Sequence, residues 1–347
     1  MTTNSNTKSR MDRRTFLKAG AALSVAAPLW GVARRASAAP QFSYKLATGQ
    51  DPTHPVNVRA KQAADRILAA SGGRLEIKVF PSNQLGSDTD LLSQIRNGGV
   101  EFINMAASVM STLVPAAGIA NTGFAFPDYD HVWKAMDGEL GKYIRGQIDK
   151  VGMLTMSRPW DNGFRQITSS TKAIRTPDDL RGFKIRVPVA PMMISLFRSL
   201  QAGPTPINFN ELYSALQTHL VDGQENPLPI IATAKLYEVQ KYVSLTSHVW
   251  DTYWILGNPA AFKRLPPDIQ SIVQHEFDRA ALEERADIAS LNDTLKQNLS
   301  SKGLQLLDVD KQAFRDQLRK TSFYKDWRTK FGDQAWALLQ NTTGALA

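Results

Sequence analysis

Residues 203–229 read GPTPINFNELYSALQTHLVDGQENPLP, a pattern that predicts a strand, a helix and a stiff polar loop in quick succession. Pro204 and Pro206 disfavour helix in the residues before them, so 205–207 is read as extended. Asn208 stands three positions before Glu211, the spacing at which an N-cap side chain and a returning carboxylate share the first free amides. Leu212, Ala215, Leu216 and Leu220 recur at i, i+3, i+4 and i+8, which makes one helical face apolar. Gly223 is the expected C-cap, because glycine takes positive φ without steric cost. Beyond it, Gln224, Glu225 and Asn226 crowd polar groups ahead of Pro227.

Towards the N-terminus, Phe42, Tyr44, Leu46 and Thr48 alternate as a strand does. A helix is expected from Pro55, with Ala60, Ala63, Ala64, Ile67 and Leu68 on one face and a stop at Gly72-Gly73. A second strand carries Leu75, Ile77 and Val79; a second helix carries Leu91, Leu92 and Ile95 and ends at Gly98-Gly99; residues 100–105 read as a third strand. Strand–helix–strand–helix–strand implies parallel pairing through helical crossovers, hence an α/β sheet. Ligands of such sheets bind beyond the carboxyl ends of the strands, which puts Gly49, Gln50, Gln84, Met105, Ala106 and Ala107 at a prospective cleft. Phe124, Phe126, Tyr129 and Trp133 are expected to pack in a core, and residues 151–157 read as a further interior strand. Thr176 and Pro177 open a short helix with Asp178 and Asp179 at its positive end. Next comes FKIRVP, in which Phe183, Ile185 and Val187 face one way while Lys184 and Arg186 face the other. From Pro267 to Ser301 there is no glycine and no further proline, and Ile269, Ile272, Val273, Phe277 and Ala280 trace an apolar face. A helix of that length spans about 50 Å, more than one small domain. The tail reads as a short strand and helices packing back on a second lobe.

Length and composition allow two domains: 347 residues, 43% hydrophobic and 21% charged. There are no cysteines, which excludes disulfides, thiolate metal sites and a cysteine-linked lipid anchor. Arg13 and Arg14 precede Thr15, Phe16, Leu17 and Lys18; an apolar run over 19–32 follows, then Arg34, Arg35 and the small residues Ala36-Ser37-Ala38. Residues 1–38 thus read as a twin-arginine export signal cleaved after Ala38, which directs the chain to the periplasm. Its apolar run is shorter than the roughly 18 residues of a membrane span; an uncleaved anchor is the alternative. The signal holds seven basic residues and one acidic residue, hence +6 of the chain's +9, and leaves +3 for the mature part. Without a basic stripe, a nucleic-acid partner is not expected.

The stretch 204–228 closely resembles the signature of the extracytoplasmic solute-binding proteins of TRAP (tripartite ATP-independent periplasmic) transporters, the DctP-type family. PWDNGFRQITS and LRGFKIRVP agree with that family in order and spacing, so the resemblance covers nearly the whole mature chain. It implies a two-lobed α/β periplasmic binding protein of type II with discontinuous lobes, hinge strands and one long helix along both lobes. Lobe I is then 39–162 plus 252–291, and lobe II is 163–251 plus 292–347. The implied function is a receptor that binds a small organic acid through its carboxylate in an interlobe cleft. Its implied partners are the membrane subunits of a TRAP permease, to which it delivers the acid without itself spanning the membrane.

By the same resemblance, Arg186 is the principal carboxylate ligand and Arg165, after Asn162-Gly163, contributes to the same carboxylate. Phe209 is the pocket aromatic, Asn226 a carboxylate-contacting amide, and Glu225 an orienting partner for an arginine. Guanidinium suits such a role because it is planar, permanently charged and forked. Members that bind sialic acid carry an acidic residue at the position of Ala106, so that ligand is not expected. Trp160 and Asp161, with Trp250, Asp251, Tyr253 and Trp254, are candidates for the ligand's variable end, where an aspartate suits hydroxyls or an amine better than a second carboxylate. No cofactor is expected. The five histidines, His54, His131, His219, His248 and His275, show no metal-ligand spacing, and neither G-x-S-x-G nor a phosphate loop occurs, so an enzyme is not expected. A binding protein serving a sensor would carry the same pocket.

Overall fold

In the computed structural model, which describes Met1 and residues 39–346, the alternating stretches of the N-terminal third become β1 (Phe42–Thr48), β2 (Leu75–Phe80) and β3 (Phe102–Ala106). β1 lies parallel to both of the others, Phe42 opposite Leu75 and Leu46 opposite Phe102. The crossover helices are Pro55–Ala70 and Asp88–Asn97. The first starts at Pro55 behind a His54 cap; the second has a Ser87/Asp90 capping box and ends on left-handed Gly98. The export signal read over 1–38 lies outside the described residues.

The remaining strands are β4 (Leu154–Thr155), β5 (Trp160–Phe164), β6 (Gln166–Ser169), β7 (Lys184–Val187), β8 (Gly203–Pro206), β9 (Gly223–Asn226), β10 (Tyr242–Ser244), β11 (Trp250–Gly257) and β12 (Gln305–Leu307). Two six-stranded sheets collect them. The first runs β2-β1-β3-β11-β4, with β5 also on β11; the second runs β12-β10-β6-β9-β7-β8. The chain passes from one sheet to the other between β5 and β6, between β10 and β11, and along the helix Pro267–Ser301. That helix buries Ile269, Val273 and Phe277 with Tyr44 and Phe102 at one end and Leu295 and Leu299 with Leu216 and Val243 at the other. Its 35 residues thereby join two apolar cores. Among the described residues no helix is long and apolar enough to cross a membrane.

Three local expectations need correction. The helix in 203–229 is only Leu212–Gln217, after a 3-10 turn at Phe209–Glu211. Asn208 makes no cap bond; its Nδ2 donates to Thr89 Oγ1 at 3.2 Å instead. His219 takes the positive φ, Leu220 is 61% exposed, and Gly223 opens β9, so Gln224, Glu225 and Asn226 are strand rather than loop. A Cβ at Gly223 would lie 2.0 Å from the Thr168 carbonyl oxygen, so glycine is there for close strand approach and not for a turn. The strand read over 151–157 shrinks to Leu154–Thr155, because the chain is still turning at Gly152, φ +75°. Finally, the tail helices do not all keep to the second sheet: Phe323–Phe331 packs on Pro191–Ser199, between β7 and β8, but Asp333–Thr343 packs on the helices Tyr129–Met136 and Glu139–Lys150.

Candidate functional site

Strand alternation sends Ile185 and Val187 of β7 into the core and Arg186 to the opposite face. There its guanidinium is 2% exposed and donates from Nε (2.9 Å) and Nη2 (2.6 Å) to the Ile207 carbonyl oxygen. It makes no ion pair among the described residues. Burial, with Arg165 as a like-charged neighbour, lowers its pKa to about 10, while Glu225 and Asp88 act the other way. It stays a cation at neutral pH.

Arg165 sits where the chain leaves β5 for β6. Its backbone N–H donates to the Val249 carbonyl oxygen at 2.8 Å, which ties this crossing to the β10–β11 connection. Its guanidinium forks onto Glu225: Nη2 reaches Oε1 at 2.8 Å, and also meets the Glu225 carbonyl and Asn226 Oδ1 at 2.8 and 2.9 Å. Nη1 lies 3.5 Å from Asp251. Burial alone would raise the Glu225 carboxyl, but Arg165 and His248 Nε2, 3.2 Å away, hold it below its ordinary value. Burial lowers the His248 imidazole in turn. Asp251 accepts from Ser108 Oγ (2.7 Å), Asn121 Nδ2 (2.8 Å) and Asn162 Nδ2 (3.2 Å). Arg165 is thus a charge answered on two sides, whereas Arg186 is not.

Both arginines face a cavity of about 30 Å³ between the two sheets. Its wall on the first side includes Gln50, Asn104, Ala106, Asn162 and Tyr253; on the second, Phe209, Asn226 and Ile230 join the arginines. Asp88, in the first turn of Asp88–Asn97, also reaches it. Burial raises the Asp88 carboxyl, against the pull of Asn83 and Arg186. Four buried side-chain atoms on this wall have no hydrogen-bond partner among the described residues: Gln50 Oε1, Asn104 Oδ1, Asn104 Nδ2 and Asn162 Oδ1. Buried polar atoms are rarely left so, since each costs about 1–3 kcal/mol.

The residues singled out from sequence divide in two. Gln50, Ala106, Arg165, Arg186, Phe209 and Asn226 meet at the cavity, together with Tyr253, and Glu225 stands behind Arg165. Trp160, Asp161 and Trp250 do not line it. Trp160 is core with Met156 and Tyr253. Trp250 packs edge-on against Phe126 and Trp133 and donates Nε1 to Asp161 at 2.9 Å. Gln84 is exposed, away from the wall. For Trp160 the reason is a β-bulge: pairing of β5 with β11 jumps from Gly163–Asp251 to Asp161–Thr252, leaving Asn162 as the extra residue. The jump breaks the alternation, so Asn162 faces the cavity while its strand-mate Trp160 does not. Asp88 and Asn104 escaped the reading from sequence. Asp88 carries no signal of its own beyond an acidic residue in the first turn of a helix. The signal at Asn104 was a lone amide inside the buried apolar run of β3.

Comparison with known proteins adds the context. A sequence model of the bacterial extracellular solute-binding proteins, family 7, matches residues 46–327. The chain is 30% identical over 267 residues to the 2,3-diketo-L-gulonate-binding periplasmic protein of Escherichia coli K12, covering 77% of this chain and 81% of that one. Among solved structures, a TRAP periplasmic solute-binding protein from Sulfurospirillum deleyianum with bound succinate superposes with TM-score 0.83 at 27% identity, covering 88% and 99% of the two chains. A sugar-acid-binding protein from Advenella mimigardefordensis in complex with galactonate gives TM-score 0.84 at 26% identity, covering 89% and 99%.

Proposed function

The chain belongs to the bacterial extracellular solute-binding proteins of family 7, and from that membership we propose that it captures a small organic acid between its two sheets and hands it to a TRAP-type secondary transporter. Its fold, mixed α/β on two sheets, is that of the TRAP periplasmic solute-binding proteins. The observation that carries the functional reading is Arg186: a buried cation on the cleft wall that makes no ion pair among the described residues. Burying a charge without a partner is costly; a ligand carboxylate is the partner that relieves the cost. Arg165 and Asn226 stand beside it to fix the carboxylate's direction, while Glu225 and Asp251 hold Arg165 in place.

We assign lobe I to 39–162 plus 252–291 and lobe II to 163–251 plus 292–332, with the helix Asp333–Thr343 returning to pack on lobe I, and with crossings at the bulge near Asn162, at the β10–β11 connection and within Pro267–Ser301. A ligand touching both walls favours the approach of the lobes. The permease's membrane subunits would recognise that state. Export by the twin-arginine route to the periplasm completes the reading and rests on residues 1–38.

The test is a thermal-shift screen of the mature protein against organic acids. Ligand at about a hundred times its dissociation constant stabilises by roughly 2.7 kcal/mol. Arg186→Met should cost about 2–5 kcal/mol of ligand affinity by calorimetry. Equal affinity in wild type and variant refutes the assignment.

A further inference from the structure

The cavity's charges and unmet polar atoms together define the ligand more narrowly than "organic acid". Arg165 is already answered by Glu225 at 2.8 Å, with Asp251 on its other side. One cation, Arg186, is left for a ligand carboxylate. Among the described residues, a second carboxylate would find no further cation on the wall, only Asp88 and neutral groups. Opposite the arginines, the first sheet presents three carboxamides, Gln50, Asn104 and Asn162, at 7%, 4% and 1% exposure. Four of their atoms, oxygens of all three and the Asn104 nitrogen, are buried without partners. An amide that offers a donor and an acceptor side by side matches a hydroxyl, which is both at once. It does not match a methylene chain, which would leave those atoms unmet, nor a carboxylate, which can only accept.

We propose that the ligand is a hydroxylated monocarboxylate, its carboxylate on Arg186 beside Arg165 and its hydroxyls on Asn104, Gln50 and Asn162. The proposal rests on the carboxylate-binding reading of the cleft given above. Asp88 adds to the same selection. Its carboxyl, on the same wall as Arg186 and held by Asn83 Nδ2 at 2.9 Å, offers an oxygen to a ligand hydroxyl.

Calorimetry of the mature protein with three four-carbon acids tests this: erythronate (three hydroxyls), butyrate (none) and succinate (a second carboxylate). Erythronate should bind roughly tenfold or more tighter than either of the others, because amides built to meet a hydroxyl reject analogues lacking it. Asn104→Leu, close in volume, should narrow the gap between erythronate and butyrate; Gln50→Ala should do the same in a chain whose β3 is untouched. Succinate or butyrate binding as tightly as erythronate overturns the hydroxyl assignment and leaves the carboxylate reading standing. If none of the three acids binds, and no other acid stabilises the protein in the thermal-shift screen, both fall.

Discussion

Arg165 and Arg186 are the same residue type, almost equally buried, on either side of β9, yet they have opposite energetics. The first is half of a forked ion pair with Glu225; the second rests on one carbonyl oxygen. Removing one partner of a buried pair strands the other, typically at about 3–5 kcal/mol. Glu225→Ala should therefore lower stability by about that much, read as a lower urea midpoint at unchanged slope. Arg186→Met should leave the midpoint of the unliganded protein where it was or raise it, since a desolvated charge is exchanged for a side chain that packs. A large loss in both variants would mean that Arg186 is structural. At this scale the sequence was legible only in part. FKIRVP announces an arginine off the apolar face of a strand, but which arginine owns Glu225 depends on β6 lying beside β9, a pairing between residues about 60 apart.

Among the elements, β9 and the β5–β11 pair show what periodicity misses. A glycine and three polar residues after a helix read as a cap and a loop, yet β9 is an interior strand between β6 and β7, and all four of its residues are buried. Gly223 makes that packing feasible. A methyl there would meet the Thr168 carbonyl at 2.0 Å and Phe183 Cζ at 2.7 Å, so Gly223→Ala should cost about 1–3 kcal/mol or more. Gly203→Ala, whose Cβ would find only the Phe183 oxygen at 3.7 Å, should stay within about 0.5 kcal/mol of wild type. Thermal melts of the two variants side by side check the contrast. The bulge at Asn162 was equally hidden, because its cause is the register of β11, far downstream in the chain. Helices with local signals fared better: the proline at Pro55, the glycine stop at Gly98 and the uninterrupted run from Pro267 lie where the sequence put them.

Over the whole molecule, the long helix and β5 meet at a pair of acids. The Asp161 backbone N–H donates to Glu284 Oε2 at 2.9 Å, Glu284 Oε1 has no partner, and neither carboxyl pairs with a cation among the described residues. Burial raises Asp161 to about 7, against the pull of Trp250, Tyr129 and Arg285. Burial and the Asp161 charge push Glu284 well above its ordinary value. An unfolded aspartate titrates near about 3.9, so between about pH 4 and 7 the folded chain holds protons that the unfolded chain has lost. The stabilising contribution is complete on the acid side and is lost as pH rises through about 7. Asp161→Asn removes that charge while keeping an oxygen for Trp250, so its melting temperature should gain on wild type between about pH 5 and pH 8. A difference that stays constant across that range would place the titration elsewhere.

The amino-acid sequence by itself determined the α/β class, the helix long enough to serve two cores, and the family. Those follow from short-range periodicity, caps and a contiguous motif, all encoded within a few turns of chain. Only the tertiary structure decided which polar residues face the cleft. Trp160, Asp161 and Trp250 withdrew behind the wall, and Asn104 and Asp88 came forward, because a bulge, a close strand pair and two crossings between sheets set side-chain direction through contacts between distant residues. No local pattern carries that information.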